Sequence, residues 1–532
     1  MKTITRTVFA CFVVLALSGC HKEEPVADDE MPTIVWTEYD PEGTRVVAHY
    51  SDNSEVFFEN YGEGLTCIGN RFADGESPNR NYALESPESI IARTDLEVGE
   101  WYFDHHIVYG IDTLPVVAVS GGLFDHRLTN VVFPESLEVI GDYAFDGCSS
   151  LTSIVLPNNI RSLDNTAFRG CSSLNTVTIL KVSETISERT FSNVFNDASS
   201  TLSLIISDGI TTICDKAFGG CSMLKSISFP SSIQKVASDA FYGCSSLQKV
   251  TIRAGMDAVP EEAYDGVFRK ENGITSSSIT LFLGDSYRSI GKRAFRNCSS
   301  FSNVVFPSEL KEVSMAAFSG CSSLTELVFP EGFKTIQGGY FNEFLEYIVE
   351  GGAFAGCSSL TNVVLPEGLG SIGEWAFSYC SSLTEIVIPK SVWSISAGAF
   401  NGCSSLTNVV FSEGLHVIEG GYDSSNTGCE YEIYGAFKEC TSLTNIVFPT
   451  DLYSIGVGSF WGCSSLVTCT SYSIVPPRVP VVTTSYVFAD DLFNFGGDTT
   501  PLQAIYVPRE SVEAYKTADG WRNYADIIYP IE

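Results

Sequence analysis

The stretch GCSSLTNVVLPEGLGSIGEWAFSYCSSLTEIVIP, residues 356–389, carries Cys357-Ser358-Ser359-Leu360 and then, 23 residues on, Cys380-Ser381-Ser382-Leu383. A cysteine returning at a fixed interval fits a redox ladder, a metal array, or a wall of small buried side chains. The same block, with small variations, begins at Cys148, Cys171, Cys221, Cys244, Cys298, Cys321, Cys357, Cys380, Cys403, Cys440 and Cys463. Six of the ten intervals are 23, two are 36 and 37, and two are 50 and 54. An aromatic column bridges the long gaps: Phe145, Phe168 and Phe191 are 23 apart, as are Phe218, Phe241 and Tyr264. The repeat therefore continues through turns without cysteine, and with Phe124 it amounts to about 14 turns.

One unit reads C-S-S-L-T-x-I/V-V-F/L-P-x-x-L/I-x-x-I-G-x-x-A-F-x-G. Leu360 to Leu365 is rich in β-branched residues, and Val363 and Leu365 fall on one side of a predicted strand. Pro366 ends it, because proline has no N–H for the next ladder bond. Leu369, Ile372, Ala376 and Phe377 follow at a spacing that fits a short helical segment or a second extended one. Gly373 allows a sharp corner or a close approach. One unit cannot bury its own apolar side chains, whereas stacked copies make a continuous core with like residues above like. At a strand spacing of about 4.8 Å, 14 turns would extend about 67 Å as a rod or gentle arc with one sheet along it.

The unit resembles the BspA-type leucine-rich repeat of bacterial surface proteins, over roughly residues 107 to 475. His106 to Phe124 (HIVYGIDTLPVVAVSGGLF) is similar to the lead-in before the first full repeat. Ala504 to Glu532 (AIYVPRESVEAYKTADGWRNYADIIYPIE) is similar to the family's terminal cap. The resemblance implies a leucine-rich repeat solenoid, mainly β, with short parallel strands stacked by 23-residue units, an N-terminal β cap or domain and a C-terminal cap. It also implies cell-surface display and a role in adhesion or protein binding, and no enzyme.

The chain divides accordingly. Residues 1–19 are a signal peptide, with Lys2 and Arg6 before an apolar run from Val8 to Leu17 that is too short to span a bilayer. Leu17-Ser18-Gly19-Cys20 resembles a bacterial lipobox, which implies cleavage before Cys20 and diacylglycerol on its sulfur. An ordinary signal with an accidental cysteine is the alternative. Residues 20–33 are then a lipidated acidic tether; Lys22-Glu23-Glu24 resembles the signal that sends some lipoproteins to the outer face of the outer membrane, and a plain solvated tether fits as well. Residues 34–106 read as a β-rich cap or small domain, opening with a hairpin around Pro41-Glu42-Gly43. The repeats occupy 107–475, with insertions near 192–204, 265–280, 338–352 and 420–435, and 476–532 forms the C-terminal cap.

The net charge is −33, and −33 − 2 = −35 once Lys2 and Arg6 are removed. This excludes phosphate-based nucleic-acid binding, which needs clustered Lys and Arg, and adhesion to an anionic membrane by the protein surface itself. A solubilising surface or a basic partner accounts for the charge equally well. With 44% apolar and 12% aromatic residues, disorder does not explain it.

For the cysteines, a buried thiol ladder is the favoured reading. Eleven in one register cannot all pair, and the ladder has neither Cys-x-x-Cys nor histidine for zinc. Occasional disulfides between turns remain open, since neighbouring Cα atoms would lie about 5 Å apart. Cys469 takes an inward place in the last unit and reads as core.

The outward strand column holds Asn130, Ser153, Thr176, Ser226, Lys249, Asn303, Glu326, Asn362, Glu385, Asn408 and Asn445, beside a column of Val, Thr and Ser. It is either a recognition face or a solvated strand face. The insertions Gly338–Gly352 and Gly420–Gly435 both begin Gly-Gly-Tyr, interrupt the same place three units apart, and would project about 14 Å from each other. Their Tyr340, Phe341, Phe344, Tyr347, Tyr422, Tyr431 and Tyr434 are candidate binding aromatics, unless each hairpin only packs on its own turn.

Catalytic signals are weak. There is no HExxH and no phosphate-binding glycine loop, and Asp104-His105-His106 with Asp125-His126 would make only a poor metal site. No catalytic residue, metal or cofactor is expected. The sequence reads as an exported outer-membrane lipoprotein, anchored at Cys20, whose solenoid face binds host or neighbouring-cell protein or glycan and no nucleic acid. A surface polysaccharide hydrolase and a purely structural surface-layer component are the alternatives.

Overall fold

The structure is a computed structural model. It describes the strands between residues 34 and 119 by their backbone, and residues 128–532 apart from 134–136, 200, 256, 275–277, 343–346, 423–432, 480–492 and 494–501. The signal peptide, the lipobox with Cys20 and the tether lie outside the described residues.

The repeating turn is a parallel-stranded coil with two short strands and a tight corner. Its front strand, Asn362–Val364 in the unit first quoted, alternates exposed, buried, exposed. Leu360, Val363 and Leu365 enter the core, and Pro366 closes the strand because the ladder cannot continue without an N–H. The segment left open by its spacing is extended: Ser371–Ile372 is a two-residue back strand, in parallel register with Thr335–Ile336 on one side and Ser394–Ile395 on the other. Its peptide groups bond to neighbouring turns rather than within the segment, as stacked copies allow and a lone unit does not. Gly373 follows because a Cβ there would lie 2.3 Å from the backbone nitrogen of Gly338 in the preceding turn.

The corner carrying Ala-Phe is wound tightly. The residue two before phenylalanine is left-handed at Tyr143, Lys216, Arg293 and Trp375, among others, and so is the residue two after it. Glycine usually occupies the second place, with Asn193, Asn297, Tyr379 and Glu439 as exceptions. Phenylalanine rings stack turn on turn: Phe354 on Phe377 and Phe377 on Phe400, each at 5.5 Å between centroids with planes within 8°. The insertion after Phe191 re-routes this column, since Phe168 meets Phe195 at 5.2 Å while Phe191 stacks on Phe218.

Two units share this design, residues 1–228 with 240–247 and residues 229–239 with 248–532. In the first, Ile34–Tyr39, Arg45–Tyr50, Glu55–Tyr61 and Gly64–Arg71 form an antiparallel meander. Its last strand pairs in parallel with Asp112–Val119, which in turn pairs with the back strand Val139–Ile140. The front strands Asn130–Val132, Ser153–Pro157, Thr176–Leu180 and Ser203–Ile206 follow in parallel. In the second unit the front strands run from Lys249–Ile252 to Thr468–Ser471. Ala504–Val507 and Ile528–Pro530 then pair on in parallel beyond them.

Between those last two strands lies the helix Val512–Thr517. Trp521 is fully buried there, donates its indole N–H to the Pro477 carbonyl at 2.9 Å, and meets Tyr515 edge-on at 4.9 Å. It also reaches Phe448 and Phe493, so it covers the apolar end of the coil. Trp521→Ala is expected to cost about 3–5 kcal/mol. Hydrogen exchange should show the loss first in Asn445–Phe448 and Thr468–Ser471, the strands nearest the exposed end.

Candidate functional face and hairpins

The ladder cysteines belong to the wall. All eleven are buried, and the thirteen cysteines with described side chains are free thiols. Ten ladder thiols donate Sγ–H to the main-chain carbonyl of the aromatic residue one turn back, at 3.1–3.4 Å. In the two turns without cysteine, Val194 and Val267 occupy the slot three residues after the aromatic, both fully buried. A valine serves the same place, so the position asks for a small apolar side chain and the thiol adds a weak donor. Burial pushes Cys171, Cys221, Cys298, Cys357, Cys403 and Cys463 up to about 12. Burial likewise holds Cys244, Cys321, Cys380 and Cys440 well above the usual thiol range. Such thiols stay protonated and unreactive at neutral pH. Cys469 is also buried, in the strand Thr468–Ser471.

The front strands of the second unit present an ordered outward face. Asn303, Glu326, Asn362, Glu385, Asn408 and Asn445 are all exposed. Asn362 donates to the Glu326 carboxylate at 2.8 Å, which ties two of them together across the ladder. Two residues on, Val305, Val328, Val364, Val387, Val410 and Val447 form a second column, 40–54% exposed. Register aligns Val328 with Val364, Val387 with Val410, and Val447 with Thr470, Tyr506 and Tyr529. The stripe thus ends on two exposed tyrosines. At its other end Lys249 sits over the Phe282 ring, 4.7 Å from the centroid. From Asn303 to Thr470 the two outward columns contain no Lys or Arg. In the first unit the same columns are half-buried and richer in hydroxyl groups, as at Ser153, Thr176, Thr178 and Ser203.

The insertions are antiparallel hairpins at equivalent places. Tyr340–Asn342 pairs with Tyr347–Glu350, and Gly420–Tyr422 with Ile433–Gly435. Each closes in the same way, by Ala353 N–H to the Gln337 carbonyl and Ala436 N–H to the Glu419 carbonyl, both 3.2 Å. Glycine brackets the necks because they press on the next turn: a Cβ at Gly352 would come 2.4 Å from Ala376. Phe344 and Tyr431 lie outside the described residues, as do the side chains of Tyr340, Phe341, Tyr347 and Tyr422. Tyr434 is half-buried and meets the buried Trp375 edge-on at 5.2 Å, so this ring packs on the coil.

Beside the hairpins, burial first and the Glu419 carboxylate second hold the Glu374 carboxyl above the usual carboxylate range. Among the described residues no three His, Cys, Asp or Glu side chains gather as a metal site. Of the sequence's metal candidates, Asp104, His105, Asp125 and His126 lie outside the described residues, as does the side chain of His106. No helix among the described residues is long and apolar enough to cross a membrane.

Three rings escape a unit-by-unit reading: the exposed Trp393 and Tyr453 and the half-buried His416, each directly before a back strand. Their signal in the sequence is a change of residue type down one column, visible only once the insertions are aligned out.

A coil of parallel front and back strands with a stacked aromatic core defines a leucine-rich repeat solenoid. The model of the BspA type leucine-rich repeat region (6 copies) matches residues 122–196, 191–280, 265–348, 343–425 and 432–476, and the chain belongs to this family. Among solved structures, a leucine-rich repeat protein from Bacteroides ovatus is 20% identical over 90% of this chain and 98% of its own, with a TM-score of 0.45. A leucine-rich cell surface protein from Faecalibacterium prausnitzii is 20% identical over 71% and 94%, with a TM-score of 0.23. The pneumococcal vaccine antigen PcpA is 15% identical over 91% and 98%, with a TM-score of 0.26. The search of curated proteins finds no match.

Proposed function

We propose that this protein is a cell-surface binding module that holds a protein ligand against the outward front face of its second unit. The observation that carries the reading is the in-register valine stripe from Val305 to Val447, which ends on Tyr506 and Tyr529 and is flanked by Asn and Glu. Six branched side chains each close to half exposed cost solubility unless a partner covers them. They stand on a hydrogen-bonded ladder, so little ordering entropy is lost on binding. The Asn and Glu column supplies register and polarity at the rim, and the surplus of acid favours a ligand with basic residues beside an apolar ridge. Cys20 would carry the diacylglycerol anchor and residues 20–33 the tether, placing the module on the outer membrane with its face outward. The two hairpins, which leave the coil just after the back strands Thr335–Ile336 and Val417–Ile418, would add a second set of contacts.

The test is an array of purified extracellular-matrix proteins and neighbouring-cell surface proteins probed with the mature chain. Binding to at least one is expected, and Val364→Glu or Val387→Glu should weaken it at least tenfold, since each sets a charge on the apolar stripe. No protein binding, together with cleavage of a polysaccharide abolished by Glu374→Gln, would replace this reading by the hydrolase.

A further inference from the structure

The second site suggested by the fold lies on the back strands and does not depend on the front face. In every repeat one residue stands directly before the two-residue back strand. Its N–H bonds to the carbonyl of its counterpart one turn earlier: Lys334 to Lys311 at 2.9 Å, Trp393 to Gly370 at 2.9 Å, His416 to Trp393 at 2.9 Å and Tyr453 to His416 at 3.0 Å. Beyond the last back strand Arg478 pairs in parallel with Ser454 and gives its N–H to the Tyr453 carbonyl at 2.7 Å. From Glu138 through Arg161, Asp257, Arg288 and Lys311 to Lys334 the place is polar or charged. It then becomes Gly370, Trp393, His416 and Tyr453, with Arg478 lying beside Tyr453 at the end, in register with Ser454.

Trp393 is 52% exposed and Tyr453 57%, values that leave ring surface open to solvent. Trp393 leans over the preceding turn, where its Nε1 lies 3.8 Å from the place a Cβ would take on Gly370. Glycine there leaves room for the indole to lie down. The His416 and Tyr453 rings are 5.9 Å apart, with planes inclined by 32°. His416 Nδ1 is 3.1 Å from the Asp451 carbonyl, and a carbonyl only accepts, so Nδ1 carries hydrogen. In the neutral ring Nε2 is then the acceptor, and it faces no protein partner among the described residues. The strip therefore interleaves ring surface with an indole donor, an imidazole acceptor, a phenol hydroxyl and, at its end, the exposed Arg478 guanidinium.

We propose that the strip from Gly370 to Arg478 is a platform for a short run of a neutral, extended glycan. Ring faces take the C–H faces of pyranose units, and the polar groups between them take the hydroxyls, each of which needs a partner when water leaves. Successive turns advance by about 4.8 Å, much the same as one residue of an extended β-linked chain, so consecutive rings meet consecutive sugars. The strip is a row of ring surfaces broken by donors and acceptors, a pattern that matches the alternating C–H faces and hydroxyls of a sugar chain. A neutral ligand also avoids the repulsion that an acidic one would meet from a chain of net charge −33.

The test is calorimetric titration of the mature protein with cellohexaose, laminarihexaose, xylohexaose and chitohexaose. At least one is expected to bind. Trp393→Ala and Tyr453→Ala should each weaken that binding at least tenfold with an unchanged melting temperature, because both side chains are surface groups. Trp393→Phe should restore most of the affinity, and Lys334→Ala, earlier in the same column, should leave it intact. Val387→Glu separates this site from the front face, since it should not alter hexasaccharide binding. The proposal is overturned if no hexasaccharide binds, if Trp393→Ala and Tyr453→Ala bind as the parent does, or if Val387→Glu alone removes binding. A protein ligand lost on Trp393→Ala, with no glycan bound, would also overturn it.

Discussion

Raised from pH 8 to pH 11, the protein is expected to unfold, and the thiol ladder is the cause. Cys171, Cys221, Cys298, Cys357, Cys403 and Cys463 lie near 12 in the folded chain, pushed up by burial. In the unfolded chain a thiol ionises near pH 8.5. A group raised on folding contributes stability in full below its unfolded value and loses it as the pH climbs towards its folded value. Above about pH 9 the unfolded state therefore binds fewer protons, and each buried thiol removes roughly 1 kcal/mol per pH unit. Six acting together outweigh a typical stability of about 5–15 kcal/mol within two units.

Circular dichroism against pH measures the midpoint. Replacing Cys357, Cys380 and Cys403 by valine, the residue already used at Val194 and Val267, should move it upward. An unmoved midpoint would assign the transition to other groups. At pH 7.5 an impermeant thiol reagent should leave the ladder unlabelled in the native protein and modify it after denaturation.

Phe377→Ala should be the most damaging single truncation of the core, at about 3–5 kcal/mol. Phe377 is fully buried and stacked on both faces, against Phe354 and Phe400. Removing it opens a cavity that its neighbours cannot close, because both turns are held by main-chain bonds such as Phe377 N–H to the Ala399 carbonyl at 2.8 Å. In a repeat array the loss falls on nearest neighbours first. Hydrogen exchange should therefore rise in Asn362–Val364, Glu385–Ile388 and Asn408–Phe411 before it rises in the first unit. A uniform rise over the whole chain would mean that the coil unfolds as a single cooperative body.

Much of this architecture is legible in the residues alone. Phenylalanine, cysteine, leucine and proline return at 23 because every copy must present the same surface to the next. The inward and outward positions of Asn362 to Leu365 follow from strand alternation. The thiols read as wall material from their number and register, before any coordinate. The segment from Leu369 to Ile372 is a different case: its apolar spacing suits a helix or a strand, and only the bonds to the turns on either side make it extended.

The hairpin aromatics show the same division. Their equivalent insertion points follow from the sequence, but Tyr434 packs against Trp375, a partner about 60 residues away in a different turn. The valine stripe and the Trp393, His416 and Tyr453 strip need still more. Each is a column running across repeats whose lengths differ by insertion, so neighbours in space sit at irregular distances in the chain. What the sequence by itself determined is the period and the inside of each turn, because burial against identical copies repeats at a constant interval. What only the tertiary structure decided is the outside: which residues line up between turns, how far each stays in water, and where donors are left without partners. Solvent imposes no period on those positions, so their meaning appears only once the turns are stacked.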